Sequence, residues 1–293
     1  MLRRWTSSRQ VGLCDPQINS QCTAAVDWPC GGLLRLLSFN IQVGITTQRY
    51  HHYLTRSWQH LLPHIGRAGN LQRIGNLLED YDLVALQEAD GGSLRSGYVN
   101  QVEHLARLGA FPYWYQQLNR NLGRLAQHSN GVLSRLRPSL LEDHPLPGPP
   151  GRGAMLLRIG EGEDAIVVVM MHLSLGARTR TRQLAYIREL IGGYRHQILM
   201  GDMNTHASDL LLNSPLRDLG LVAPQIEATF PSWRPQRCLD HILLSPGLAL
   251  ERFEVLALPI SDHLPVAVEI RLPQALGSSQ LPALNLSAGE KSQ

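Results

Sequence analysis

The run Ala165-Ile166-Val167-Val168-Val169-Met170-Met171 is apolar without interruption and rich in β-branched residues. A strand with one wet face alternates polar and apolar side chains, so an unbroken run reads as a strand buried on both faces. The sheet that holds it then needs a covering layer on each side. That demand favours α/β layering over a helix bundle or a single open sheet. A chain of 293 residues with 43% hydrophobic content supplies enough apolar surface to meet it.

Around this run the chain reads as further strands and helices. Leu33 to Gln42 and Asp82 to Glu88 are apolar strands ending on polar groups, and between them Arg56 to Glu79 carries Leu71, Ile74, Leu77 and Leu78 at helical spacing. Gly97 to Arg124 reads as a helix, then the aromatic segment Phe111 to Tyr115, then a loop at Asn119-Arg120-Asn121. Such aromatics fill a core more commonly than they stack on a base or lie at a lipid interface, so a core strand is expected. His128 to Ser134 reads as a strand, and Pro145 to Gly153 as a Pro/Gly-rich surface loop after which strand patterns resume.

After His172 a helix carrying Arg178, Arg180, Arg182 and Arg188 runs to Leu190 and closes at Gly192-Gly193. A strand ending at Gly201, a short helix near Asp209 to Leu212, a strand over Leu239 to Ser245 and a last strand from Pro265 to Arg271 follow. Residues 1–32 are expected to be a poorly ordered leader, 33–272 one domain, and 273–293 a mobile tail.

Charge narrows the function little. Lys and Arg total 27 against 24 Asp and Glu, giving +3, which permits a phosphate-bearing substrate without demanding one. Cys14, Cys22, Cys30 and Cys238 match neither a dense disulfide framework nor paired metal-ligand spacing. Basic residues near the start are followed by no continuous apolar segment, and no run reaches membrane-spanning length. A cytoplasmic location with ordinary thiols is the expectation.

The chemistry gathers at strand ends. Ile198 to Met200 run apolar into Gly201, after which Asp202 and Asn204 stand two residues apart and point the same way if the backbone stays extended. An acid there can orient or deprotonate water, and an amide can donate to charge developing on a phosphoryl oxygen. Asn40, Glu88, His172, Asp240, Asp262 and His263 also lie at or beside strand termini. Each alone is an ordinary turn or edge residue. Together they match phosphate-ester hydrolysis, and hard oxygen ligands such as Glu88 and Asp262 suit Mg²⁺ or Mn²⁺ rather than zinc.

The sequence resembles the endonuclease/exonuclease/phosphatase superfamily of metal-dependent phosphoesterases, also called deoxyribonuclease-I-like. The segments that carry the resemblance are Ser38-Phe39-Asn40, Leu86-Gln87-Glu88, Asn130 to Ser134, Met171-His172-Leu173, Gly201 to Asn204, Leu239 to Leu243 and Ser261 to Pro265, in the superfamily's order. The resemblance implies a four-layer α/β sandwich, two mixed β-sheets packed face to face with helices outside, and a site at one edge of the sheet pair. It implies Glu88 as the main metal ligand with Asn40 and Asp262 assisting, and Asp202 as the group that orients or deprotonates water. Asn204 would donate to the phosphoryl group, and His263 would contact the scissile phosphate or act as a base, held in its tautomer by Asp240. His172 would be a phosphate donor or general acid, and Asn130 a substrate-binding residue.

His172 sets the chain apart from abasic-site repair enzymes. Met200 before Gly201, and Arg237-Cys238-Leu239-Asp240 further on, depart from the inositol-phosphatase pattern. The leading expectation is a Mg²⁺-dependent phosphodiesterase of nuclease type, with Arg95, Arg120, Arg124 and the arginines after His172 on a nucleic-acid backbone. The alternative is a sphingomyelinase-like hydrolase of phospholipid or another small phosphodiester, with Phe111 to Tyr115 or Trp233 at the interface. A catalytically inactive binding protein with the same fold comes third.

Overall fold

The computed structural model describes residues 9–10, 28–29, 32–45, 66–224 and 227–273. The first part of the helix expected from Arg56, together with Cys14, Cys22, Cys30 and residues 274–293, lies outside the described residues.

Two six-stranded sheets face each other. The first contains β2 (Leu33–Asn40), β3 (Leu83–Asp90), β4 (Tyr113–Asn121), β5 (Gln127–Ser134), β11 (Ala249–Val255) and β12 (Val266–Arg271), in the order β11-β12-β2-β3-β5-β4. The second contains β1 (Arg9–Gln10), β6 (Leu140–Pro145), β7 (Gly153–Ile159), β8 (Ile166–His172), β9 (His196–Asp202) and β10 (Asp240–Leu244), in the order β1-β6-β7-β8-β9-β10. β2 and β3 pair in parallel, as do β8 and β9, and the remaining ladders are antiparallel, so both sheets are mixed.

Three apolar cores fill the space between four layers. Leu34, Leu36, Leu83 and Val132 of the first sheet meet Val168, Met170, Ile198 and Met200 of the second in the middle. The outer face of the first sheet packs on α1 (Gly66–Leu78) and α2 (Gln101–Leu108) through Leu71, Ile74, Leu78, Val102 and Leu105. The outer face of the second packs on α3 (Ala177–Ile191) and α4 (Ala207–Leu212) through Leu184, Ile187, Ile191 and Leu210. Every residue of β8 is buried, as its unbroken apolar run requires.

Phe111 is buried beneath the Arg135 guanidinium, which sits 4.5 Å from its ring centroid, and Trp114 and Tyr115 pack on the two adjoining cores. The aromatic segment is therefore core, not interface. β4 continues through Asn121, so Asn119-Arg120-Asn121 is strand rather than loop. Pairing with β5 through Arg120↔His128 and Asn121↔Gln127 overrides the turn-like composition. β11 escaped the periodicity because it is an exposed edge strand made by its ladder with β12. No described helix is long and apolar enough to cross a membrane.

A candidate active site at the joined ends of the two sheets

Two parallel pairs bring four strand ends to one edge. In the second sheet His172 stands level with Asp202, and Asp202 level with Asp240 on its other side. Asp202 is thereby the middle of a three-strand row. In the first sheet Asn40 pairs with Gln87, one residue before Glu88. Between Leu86↔Gly131 and Ala89↔Ser129 the ladder shifts, so that Gln87 and Glu88 together oppose the single residue Asn130. This is a β-bulge, and Glu88 takes a left-handed backbone at φ 56° within it. A bulge re-aims a side chain, here toward the second sheet.

The contacts close the two ends together. Asn40 Nδ2 donates to Glu88 Oε1 at 3.2 Å and to Asp202 Oδ2 at 3.2 Å. His172 Nε2 lies 3.4 Å from Asp202 Oδ2 and 3.9 Å from Glu88 Oε1. His263 Nε2 lies 3.9 Å from Asp202 Oδ2, while His263 Nδ1 is 2.7 Å from Asp240 Oδ2. Asp240 Oδ2 also accepts from Thr229 Oγ1 at 2.5 Å, and the His263 ring packs on Phe230 with centroids 4.9 Å apart. Asn204, in a left-handed conformation that Asn tolerates, donates its backbone N–H to Asp202 Oδ1 at 3.0 Å and its side-chain amide to the Leu173 carbonyl at 2.9 Å.

Two overlapping groups place carboxylate and imidazole atoms within 4.8 Å of one another: Glu88, His172 and Asp202, and Asp202, Asp240 and His263. Both have the donor chemistry of a divalent-metal site, and Asp202 belongs to each. Asp240 Oδ1 is buried with no hydrogen-bond partner among the described residues, a further oxygen left for a ligand.

A profile described as the Endonuclease/Exonuclease/phosphatase family matches residues 37–263. The chain belongs to that family. Among solved structures, the endonuclease/exonuclease/phosphatase from Beutenbergia cavernae DSM 12333 is 20% identical with a TM-score of 0.63, covering 82% of this chain and 72% of that one. A mannosyl-6-phosphatase from Bacteroides thetaiotaomicron VPI-5482 is 18% identical with a TM-score of 0.56, over 81% and 99% of the two chains. ANGEL2, a 2′,3′-cyclic phosphatase, is 16% identical with a TM-score of 0.56, over 86% and 99%. These three likenesses are of fold. No curated protein matches the sequence.

The electrostatics of this endonuclease/exonuclease/phosphatase-family site follow from crowding acids in a buried place. Burial pushes the Asp202 carboxyl up to about 7, helped by Asp240 and Glu88 and opposed by His263 and the Asn204 N–H. Enclosure in the cleft and the Asp262 charge raise Glu88 as well. Burial works against a charged His263, but the Asp240 and Asp202 carboxylates outweigh it and hold the ring well above the ordinary imidazole range. Burial, then Arg152 and His263, push His172 well below that range. The two imidazoles beside Asp202 are thus pushed in opposite directions, His263 up by its carboxylate neighbours and His172 down by burial.

Asn40, Glu88, His172, Asp202, Asn204, Asp240 and His263 thus come together at one edge. Asp262 stands next to them and acts on Glu88 through its charge, but lies in neither metal-capable group; its Oδ1 accepts from Ser261 Oγ at 3.2 Å. Asn40 donates its amide N–H groups to both carboxylates and accepts from the Gln42 N–H through its oxygen. Asn130, opposite the bulge, is buried and donates to Gln117 Oε1 at 3.2 Å. Arg95 is buried against Asp90, so it is not a surface contact for nucleic acid. Sequence reasoning missed Arg152, whose guanidinium touches His172 Nε2, and Thr229, which holds Asp240. Gly151-Arg152-Gly153 immediately ahead of a strand was the available signal for Arg152; for Thr229 there was none.

Proposed function

We propose that this family member is a Mg²⁺-dependent phosphodiesterase that cleaves by in-line attack of water. The observation that carries the reading is Asp202, shared by two metal-capable groups and tied across the sheets by Asn40. Glu88, with Asp202 or His172 beside it, would hold the ion, and bound Mg²⁺ would supply charge neutralisation of the phosphate. Asp202, raised toward neutrality, orients water and takes its proton. Asn204 and His263 meet charge on the phosphoryl oxygens, and Asp240 keeps the Nδ1 proton of His263 directed inward so that Nε2 faces the phosphate.

The substrate would be the phosphodiester of a nucleic acid, a phospholipid or another small molecule. The nuclease-type reading rests on the exposed Arg120, Arg124, Arg178 and Arg182. The phospholipid reading rests on the exposed leucines beside the same arginines. The test of the shared chemistry is hydrolysis of bis-p-nitrophenyl phosphate, DNA, RNA and sphingomyelin micelles with Mg²⁺, Mn²⁺ or chelator. Wild type should turn over at least one of these only with metal, and Glu88→Gln should lose at least about 100-fold in metal affinity and rate while keeping its unfolding transition. Full activity in Glu88→Gln, or in chelator, would overturn the site.

A further inference from the structure

Six of the nine exposed large apolar side chains among the described residues, Tyr98, Val99, Leu118, Leu122, Leu125 and Leu175, lie on the β4–β5 hairpin or in the segments that follow Glu88 and His172, while Leu212, Val222 and Leu250 lie elsewhere. The topology places the hairpin. β5 runs antiparallel to β3 and begins beside its end, Asp90↔His128, so the β4–β5 turn projects beyond the edge where Glu88 sits. Tyr98 and Val99 stand in the segment between β3 and α2, and Leu175 follows His172 by three residues. Leu125 is 59% exposed and Leu175 73% exposed. Monomeric surfaces rarely gather such residues without a partner for them.

The base of the hairpin is built into the site. Arg120 pairs with His128, the Gly151 backbone lies against the Arg120 side chain, and the next residue, Arg152, touches His172. The two chain segments that carry most of these leucines hold charge of one sign. Tyr113 to Ser134 holds Arg120 and Arg124 with no acidic residue, and Leu173 to Arg188 holds Arg178, Arg180, Arg182 and Arg188 with none.

We infer that the β4–β5 hairpin, with Leu175 opposite, docks the mouth of the site on an anionic phospholipid surface. The inference rests on the phosphodiesterase reading and names its substrate class, a phosphodiester presented in a membrane. Leu122 and Leu125 flank Gly123-Arg124 at the turn. Aliphatic tips have no π-face on which a base could stack, whereas the headgroup–acyl boundary removes them from water. Arg120 and Arg124 beside them meet anionic headgroups. A nucleic acid would satisfy the arginines and leave the leucines wet.

The test is co-sedimentation of the full-length protein with vesicles of phosphatidylcholine alone and of phosphatidylcholine with an equal share of phosphatidylglycerol. The mixed vesicles should bind it more tightly than the neutral ones. Leu122→Ser with Leu125→Ser should lower the partition coefficient roughly tenfold or more, with bis-p-nitrophenyl phosphate hydrolysis unchanged. Arg124→Gln should lower it several-fold at low salt and little at high salt. No vesicle binding, or binding indifferent to the leucines, would overturn the docking face, as would an equal loss of single-stranded DNA binding in the leucine variant. The two readings fail separately: diester hydrolysis without vesicle binding sinks only the docking, and vesicle binding by a protein that hydrolyses no diester sinks only the chemistry.

Discussion

Asn40 Nδ2 donates to Asp202 Oδ2 at 3.2 Å, and this bond joins the end of a strand in one sheet to the end of a strand in the other. The same N–H group reaches Glu88, so one amide sits between two carboxylates that would otherwise repel. Asn40→Ala should lower turnover about 10–100-fold and weaken Mn²⁺ binding measured by calorimetry. Wild-type metal affinity in Asn40→Ala would show that Asn40 positions nothing.

Asp240 holds His263 by one oxygen and is itself held by Thr229. Asp240→Asn offers that position a weaker, uncharged acceptor and removes the charge that raises the His263 pKa. Turnover should fall about 10–100-fold with KM changed less, and the His263 titration followed by NMR should move down. Thr229→Val should act in the same direction more weakly. An unmoved His263 titration would separate the two residues.

Gly201 adopts φ 144°, and a Cβ there would sit 1.9 Å from the Met171 carbonyl oxygen. No rotamer relieves a clash with a neighbouring strand's backbone. Gly201→Ala should therefore cost about 3 kcal/mol or more in chemical denaturation and disturb the His172–Asp202 row at the same time. A mild cost would mean that β8 and β9 can part without consequence.

Asp90 anchors the loop after Glu88, accepting from Gly92 N, Ser93 N, Ser93 Oγ, Ser96 Oγ and the buried Arg95. Burial alone would raise its carboxyl, but these donors together hold it down at about 2. A depressed carboxylate contributes stability that is complete above its unfolded value and is lost as pH falls toward the folded one. Unfolding free energy should thus drop between about pH 4 and 2, and Asp90→Asn should flatten that limb while costing about 3–5 kcal/mol at neutral pH by leaving Arg95 unpaired. An unchanged acid limb in the variant would assign the acid loss elsewhere.

Much of this protein follows from short-range rules. An unbroken β-branched run cannot face water, so Ala165 to Met171 dictates a covered sheet. A polar residue ending such a run lands at a sheet edge, so the gathering of Asn40, Glu88, His172 and Asp202 at strand ends was legible because strand periodicity and termination are local properties. The roles within the edge were not local. That Asp202 is central depends on β8 and β10 flanking β9, residues far apart in sequence and level in space. The bulge that turns Glu88 inward depends on β5 supplying one residue against two. Arg95 read as a surface arginine and is buried because the Asp90 loop folds around it. Arg152 entered the site, and the leucines of the β4–β5 turn reached its rim, through the antiparallel return of β5 along β3 and the packing of β7 beside β8. Local chemistry chose the residue types; the pairing of distant strands decided which of them meet.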